Sequence, residues 1–230
     1  NFLVVGQFGP RKNMLNTIRW WVEEFIDQDV GLVLKTSMVN NSILDRNKIK
    51  NQISAAVAKY KNRKCKIYIL HGDLSAAQMA SLYTNDKIKC LINIAHGEGF
   101  GLPLFEAASL GLPIVTMPWS GQVDFLKHDS VSYFTEVEYT LQAVQKENVW
   151  KDVIQEGSLW AYAEQGSYKM ALRHVKNNWS DAKETALKLQ EIVNEKFSEE
   201  KLYKQFCNSI YQPSDEYLEW MNELDEADEL

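Results

Sequence analysis

Two hydrophobic patterns alternate along the first two thirds of the chain. Residues 2–6 (FLVVG) form a short apolar run that stops at a glycine, as a strand buried on both faces of a parallel sheet does. Residues 14–26 follow the other pattern, with Leu15, Ile18, Trp21 and Phe25 at helical spacing. The alternation continues with a second strand at 30–34. A polar helix at 42–61 carries Ile49, Ile53 and Val57 on one stripe, and KIYIL at 66–70 is a third strand. Residues 75–83 read as a short helix with Ser75 as N-cap. CLINIA at 90–95 is a fourth strand, 102–110 a helix closed by Gly111, and PIVTM at 113–117 a fifth strand. A helical turn at 122–126 and a short sixth strand at 131–134 complete the pattern. Strands alternating with helices predict an α/β fold: a doubly wound, Rossmann-like parallel sheet of about six strands with helices on both faces.

Beyond Phe134 the pattern changes. Residues 135–160 read as irregular, with 139–144 extended, and the chain is predicted to be helical from Ala161 onward. Breaks fall near 177–180 and 197–198, with Ser180 and Ser198 as helix starts. Ser214 to Leu230 carries eight acids and no base, the composition of a solvated tail. The organisation expected is therefore a Rossmann-like α/β unit at 1–160, helices at 161–213 that pack on or extend it, and an acidic tail at 214–230.

Composition narrows the function classes. The chain has 230 residues, 45% of them hydrophobic, enough for a real core. A net charge of −6 argues against nucleic acid as the main partner. Cys65, Cys90 and Cys207 lie far apart without metal spacing, which suits a reduced, cytoplasmic protein. No run is long enough to cross a membrane. The chain opens with Asn1 directly on a strand-like run, so a preceding segment is expected.

The chemistry concentrates at HGEGFGLPLFEAASLGLPIV, residues 96–115. This stretch leaves the fourth strand and enters a helix, at the sheet edge where ligands of open α/β sheets sit. Gly97, Gly99 and Gly101 let a ligand approach the backbone. The helix start at Leu102 and Pro103 aims free amides and partial positive charge at the same spot, which favours a phosphate or diphosphate. Glu98 in the loop and Glu106 one turn into the helix suit neutral hydroxyls, such as those of a sugar or a ribose. The spacing is G-x-G-x-G, so the dinucleotide fingerprint is not met. GQFGPRKN at 6–13 lies at the same edge and offers Arg11 as a fork and Lys12 as a point charge. His96 and His71 end strands beside these loops, and His96 either touches a bound ligand or only satisfies its strand end. His128 and His174 read as surface residues, and Trp20 and Trp21 as core or domain-interface residues. Trp119 stands out as it precedes Ser120 and Gly121. Asp27 and Asp29 fit D-x-D but fall at the opposite edge, and Asp225-Glu-Ala-Asp228 has no phosphate loop to accompany it. No metal site is expected.

These residues together resemble the retaining glycosyltransferases of family 4, which have the GT-B fold. The similarity runs from Phe2 to Val144 and more weakly to about Tyr211. Its specific element is E-x7-E, here Glu98 and Glu106, within EGFGLPLFEAASLGLPIV. The resemblance implies that Glu106 holds the ribose and Glu98 the donor sugar, with the amides of Gly99, Phe100, Gly101 and Leu102 at the sugar and diphosphate. Lys12 matches a family lysine that neutralises the leaving diphosphate, so Glu98 and Lys12 are the implied catalytic pair. Gln7 stands where the family usually has arginine, leaving Lys12 with the help of Arg11. Gly72 and Leu74 match the segment that flanks the base, and Ser120 with Gly121 matches a small-residue turn. The resemblance further implies no cofactor, a UDP- or GDP-sugar donor, and transfer with retained configuration. The acceptor (a glycan, a lipid or another molecule) would be held by an N-terminal domain, without which this half of a GT-B fold is inactive. Whether the whole enzyme is peripheral at a membrane is left open. A GT-B-fold epimerase or hydrolase of nucleotide sugars, and a non-catalytic nucleotide-binding module, are the competing readings.

Overall fold

The computed structural model describes residues 1–211 together with Tyr217 and Trp220. The expected acidic tail at 214–230, including Asp225-Glu-Ala-Asp228, otherwise lies outside the described residues. In chain order the elements are β1 (Phe2–Val5), α1 (Met14–Phe25), β2 (Gly31–Thr36), α2 (Ile43–Ala56), β3 (Lys66–His71), α3 (Ala76–Tyr83), β4 (Cys90–Asn93), α4 (Leu102–Ser109), β5 (Ile114–Thr116) and α5 (Val123–Leu126). They continue with β6 (Lys127–His128), β7 (Val131–Ser132), β8 (Thr135–Glu136), β9 (Tyr139–Ala143), β10 (Leu159–Ala163), α6 (Gln165–Asn177), α7 (Trp179–Lys196) and α8 (Glu199–Ile210). The chain divides into two units, Asn1–Glu191 and Ile192–Leu230.

The first unit is built on a six-stranded sheet of order β3-β2-β1-β4-β5-β8, in which every pairing is parallel. This is the doubly wound order expected from the sequence. Phe2 and Val4 of β1 join one core with Leu32 and Leu34 of β2, and that core is closed by Ile18, Trp21, Val22 and Phe25 of α1, Ile49 and Ile53 of α2, and Tyr168 and Leu172 of α6. Phe25 stacks on Phe2 at 5.2 Å and meets Trp21 edge-on at 5.3 Å. Full burial of each such side chain contributes about 1.5–3 kcal/mol. The alternate positions Leu3 and Leu91, both buried, face the other side of the sheet, where α4 packs on β4 and β5.

Local chemistry sets the helix starts. Ser42 caps α2 by accepting from Asp45 N at 3.1 Å. Ser75 and Gln78 form a reciprocal capping box on α3.

Three expectations are corrected. The sixth strand of the sheet is Thr135–Glu136, whereas Val131–Ser132 turns back antiparallel on Lys127–His128. The cause is a two-residue turn in which Asp129 and Ser130 both take positive φ, 50° and 66°, the hairpin geometry that reverses a chain. The stretch read as irregular is a second antiparallel hairpin, β9 on β10, with Leu141 opposite Ala161. Residues 159–163 (LWAYA) are thus strand, and helix begins only at Gln165; a run apolar at every position carries no period to tell the two apart. His128 is buried, its Nε2 against Phe125 O at 3.1 Å, rather than at the surface. In the second unit, α8 follows Ser198 as expected, and Lys201 pairs with Glu195 at 3.0 Å.

Candidate functional site

The strand order reverses between β1 and β4. Chain segments leaving those two strands diverge to opposite faces, which opens a crevice at their carboxyl ends. Residues 6–13 leave β1 there and residues 94–101 leave β4. The two loops are stitched together: His96 N donates to Arg11 O at 2.8 Å. Buried Asn13 donates its side-chain amide to Ile94 O at 3.2 Å. Asn13 precedes α1 in the left-handed conformation, φ 51°, which asparagine tolerates better than most residues.

Glu98 is the centre of this junction. Its Oε1 accepts from Lys12 Nζ at 2.5 Å and from Asn93 Nδ2 at 3.0 Å, and its Oε2 from Arg11 Nη1 at 3.0 Å. Arg11 also donates to Gly97 O. The Glu98 side chain is 6% exposed, that of Lys12 14% and that of Arg11 43%. Burial alone would raise the Glu98 carboxyl; the hydrogen bonds from Lys12 and Asn93, the Lys12 charge and the Arg11 bond outweigh it and hold the pKa below the ordinary value. Glu98 is therefore a charged, fixed carboxylate at neutral pH. Its backbone is fixed too. Ser120 Oγ accepts from Glu98 N at 3.1 Å and donates to Glu98 O at 2.6 Å, and Gly121 N donates to the same carbonyl at 3.1 Å. The segment between β5 and α5 thus clamps the glycine loop.

The glycines divide by cause. Gly101 takes φ +90° ahead of α4. Gly121 has no room for a side chain, because a Cβ there would sit 1.8 Å from Gly99 O. Gly99 is different: its φ is not positive, and a Cβ would meet nothing within 4 Å. Its own fold does not require glycine. The amides of Gly99, Phe100, Gly101 and Leu102 donate to no acceptor among the described residues, so they remain free to bind an anion at the start of α4. Phe100 anchors the loop by packing on Phe105 and Phe125, at 5.2 and 5.0 Å.

The structure brings together Arg11, Lys12, His96, Glu98, Gly99 and Gly121 from the residues singled out in the sequence. Glu106 is reached differently: buried Tyr83 donates to its Oε2 at 2.7 Å, leaving Oε1 without a partner among the described residues. Burial, aided by that carboxylate, pushes the Tyr83 phenol up, so it stays a donor. Gln7 points to Met38 O at 2.5 Å and away from the Glu98 cluster. Gly72, at φ +102°, accepts from Lys35 Nζ at 2.5 Å at the end of β3, with Leu74 two residues on. No hydrogen bond links Gly72, Leu74 or Glu106 to the Glu98 cluster among the described residues. His96 does structural work. Its Nδ1 donates to Ala161 O at 2.7 Å, Ala161 N returns a bond to His96 O at 3.0 Å, and the ring stacks on Trp160 at 4.9 Å. Burial lowers its pKa against the opposing pull of Ala161 O, which keeps the imidazole neutral. His96 thereby ties the β9–β10 hairpin to the glycine loop. A cavity of about 620 Å³ opens there, lined by Phe8, Pro10, Asn13, His96, Gln145 and Tyr162 among others. Asp29 pairs with Lys66 at 3.6 Å on the far edge, apart from this chemistry. Trp21 is in the core as expected, and Trp119 packs on Tyr139 at 5.8 Å.

Sequence reasoning missed Asn93, Asn13 and Tyr83. Asn93 had a signal, as the one amide within the apolar run CLINIA; a polar side chain in a buried strand needs a partner. Tyr83 had none, because its contact with Glu106 is tertiary.

A family model described as Glycosyl transferases group 1 matches residues 2–147. No curated protein sequence matches the chain. Among solved structures, the C-terminal domain of a glycosyl transferase group 1 family protein from Francisella tularensis is 14% identical, with a TM-score of 0.55 and 85% of each chain covered. TarM from S. aureus, in complex with Fondaparinux, alpha-GlcNAc-glycerol and UDP, is 15% identical, with a TM-score of 0.58, over 90% of this chain and 34% of that one. HepE from Anabaena, in complex with UDP and glucose, is 15% identical, with a TM-score of 0.59, over 91% of this chain and 48% of that one. The chain therefore spans about a third to a half of the length of the latter two. At these identities the likeness is one of fold, that of GT-B C-terminal domains.

Proposed function

This chain belongs to the glycosyl transferases group 1 family, and from that premise we propose that it is the donor-binding part of a retaining, family 4 enzyme. Its ligand is a nucleotide-diphosphate sugar. UDP in the S. aureus and Anabaena structures makes a UDP-sugar the first candidate, ahead of a GDP-sugar. The observation that carries the reading is the pairing of buried Glu98 with Lys12 and Arg11 beside four free amides at the strand-order reversal.

In this reading the diphosphate sits at the amides of Gly99, Phe100, Gly101 and Leu102, with Lys12 and Arg11 beside it. As the bond from anomeric carbon to phosphate oxygen breaks, negative charge grows on the departing diphosphate. Fixed donors aimed at that charge are worth more in the transition state than in the ground state. Glu98 accepts hydrogen bonds from donor-sugar hydroxyls while staying charged. Glu106, steadied by Tyr83, offers Oε1 to the ribose, and Gly72 with Leu74 flanks the base. The acceptor, a glycan, a lipid or another molecule, would be held by a further N-terminal domain, and this chain alone would bind donor without turning it over.

A thermal-shift panel of UDP, GDP and their sugars tests the reading. A ligand at a hundred times its Kd stabilises by about 2.7 kcal/mol. The expected result is a shift for one nucleotide series, reduced by Lys12→Ala and by Glu106→Ala. A shift that both variants leave untouched places the site elsewhere. No shift with any of them removes donor binding from this chain.

A further inference from the structure

Three apolar side chains stand out in solvent at one corner of the sheet. Val39, in the loop after β2, is 82% exposed, and Ile43 and Leu44, in the first turn of α2, are 68% and 69% exposed. α2 turns Ile49 and Ile53 inward, which at helical periodicity sets Ile43 and Leu44 astride the outward line. Lys50 follows Ile43 two turns later on that line, and Lys48 follows Leu44 by one turn. Arg46, Lys48 and Lys50 are exposed and form no salt bridge among the described residues. Asp45, the acid in this turn, faces the other way. It is buried, and its carboxylate accepts from Val39 N at 3.2 Å and Asn40 N at 2.7 Å. It thus holds the loop that displays Val39. From Asp45 to Lys66 the sequence carries eight basic residues and this single acid, on a chain of net charge −6.

We infer that this corner docks on an anionic lipid bilayer. Val39, Ile43 and Leu44 enter the boundary between headgroups and acyl chains, and Arg46, Lys48 and Lys50 pair with the headgroup phosphates. Bare apolar side chains alone would suit many partners, and cations alone any polyanion. Exposed cations that form no salt bridge among the described residues, set beside an apolar tip, match the layered chemistry of a membrane surface, and one exposed acid, Asp73, accepts from Asn41 next to the tip. The tip follows the carboxyl end of β2, the sheet edge that also carries Glu98. A bilayer bound there lies on the side of the molecule where the candidate site opens. The inference does not depend on donor binding.

Co-sedimentation of the whole chain with vesicles tests it. The chain should pellet with phosphatidylcholine vesicles that contain phosphatidylglycerol, less so as salt rises, and not with phosphatidylcholine alone. Lys48→Glu with Lys50→Glu should lower the partition coefficient about tenfold or more. Val39→Ser, Ile43→Ser and Leu44→Ser together should lower it similarly while leaving Tm unchanged, because the three side chains are in solvent. Failure to pellet with the anionic vesicles overturns the inference. So does serine-variant binding equal to that of the parent, which would make the corner a plain polyanion surface, or charge-reversed binding equal to it. Ile43→Trp adds a readout taken as the difference from the parent, whose seven tryptophans also emit: the difference emission should shift to the blue on anionic vesicles, and an unshifted difference emission in a pelleting protein would also overturn insertion.

Discussion

Asn93 donates to Glu98 Oε1 at 3.0 Å, the same oxygen that Lys12 grips at 2.5 Å. Asn93 is buried, and its own Oδ1 accepts from Ala95 N at 2.8 Å. The amide is thus oriented by the backbone, nitrogen toward Glu98. Asn93→Asp keeps the shape, removes the donor and sets two carboxylates together. We expect a loss of about 1–3 kcal/mol at neutral pH, measured by urea unfolding. Adding Glu98→Gln should restore part of that loss, because the new amide can donate to the new carboxylate. A double variant no more stable than Asn93→Asp alone would contradict the pairing.

Glu98 also makes stability depend on pH. Its pKa is lower folded than unfolded, so the folded state holds its proton less tightly. The stabilisation is fully present above the ordinary glutamate value of about 4.3 and is lost as the pH falls through the lower folded value. Glu98→Gln should be less stable than the parent at pH 7, and the gap should close in the acid range. Urea midpoints at a series of pH values measure it; a gap that stays constant down to acid pH would rule out the linkage.

Gly99 and Gly121 face each other across the loop but answer to different constraints. Gly121→Ala drives a Cβ into the Gly99 carbonyl and should cost about 2–3 kcal/mol. Gly99→Ala meets open space, so stability should move by no more than about 0.5 kcal/mol. Donor affinity should nonetheless fall about tenfold, if a diphosphate approaches that backbone as proposed. Thermal unfolding with and without ligand separates the two effects in one experiment.

Ser120 occupies a left-handed conformation, φ 73°, at a cost of about 1–2 kcal/mol for a residue with a side chain. Its hydroxyl offsets this through two hydrogen bonds to the Glu98 backbone. Ser120→Ala keeps the strain and loses both bonds, so we expect a loss of about 1–2 kcal/mol. Ser120→Gly loses the bonds but removes the strain, and should cost less. The order of their Tm values is the check.

The first five strands and first four helices could be read within a few residues because each carries its own signal: an apolar run closed by a turn, a stripe at helical spacing, or a serine cap such as Ser75. The loop before α4 was legible in the same way, because glycine spacing and a helix start coincide within residues 96–106. What escaped was set by distant contacts. The β9–β10 hairpin is fastened by His96 bonding to Ala161, 65 residues away, and nothing in LWAYA announces it. Asn93 was visible as an oddity in an apolar strand, but its partner became evident only once β1 and β4 were seen side by side. Lys12 and Arg11 were identified as cations; their counter-ion was not, because the expectation of neutral hydroxyls at Glu98 overlooked the short distance across the strand-order reversal.

That reversal has a consequence for how the protein is made. Lys12 and Glu98 are 86 residues apart in the chain, and only parallel pairing of β1 with β4 brings them into contact. Closing so long a loop is slow compared with forming local structure. A chain emerging from the ribosome carries Lys12 long before it carries Glu98, and the crevice between them does not exist until the central pair of strands has zipped. If donor nucleotide binds in the crevice as proposed, its occupancy reports on completed folding, and the ligand stabilises the finished domain but none of its earlier stages.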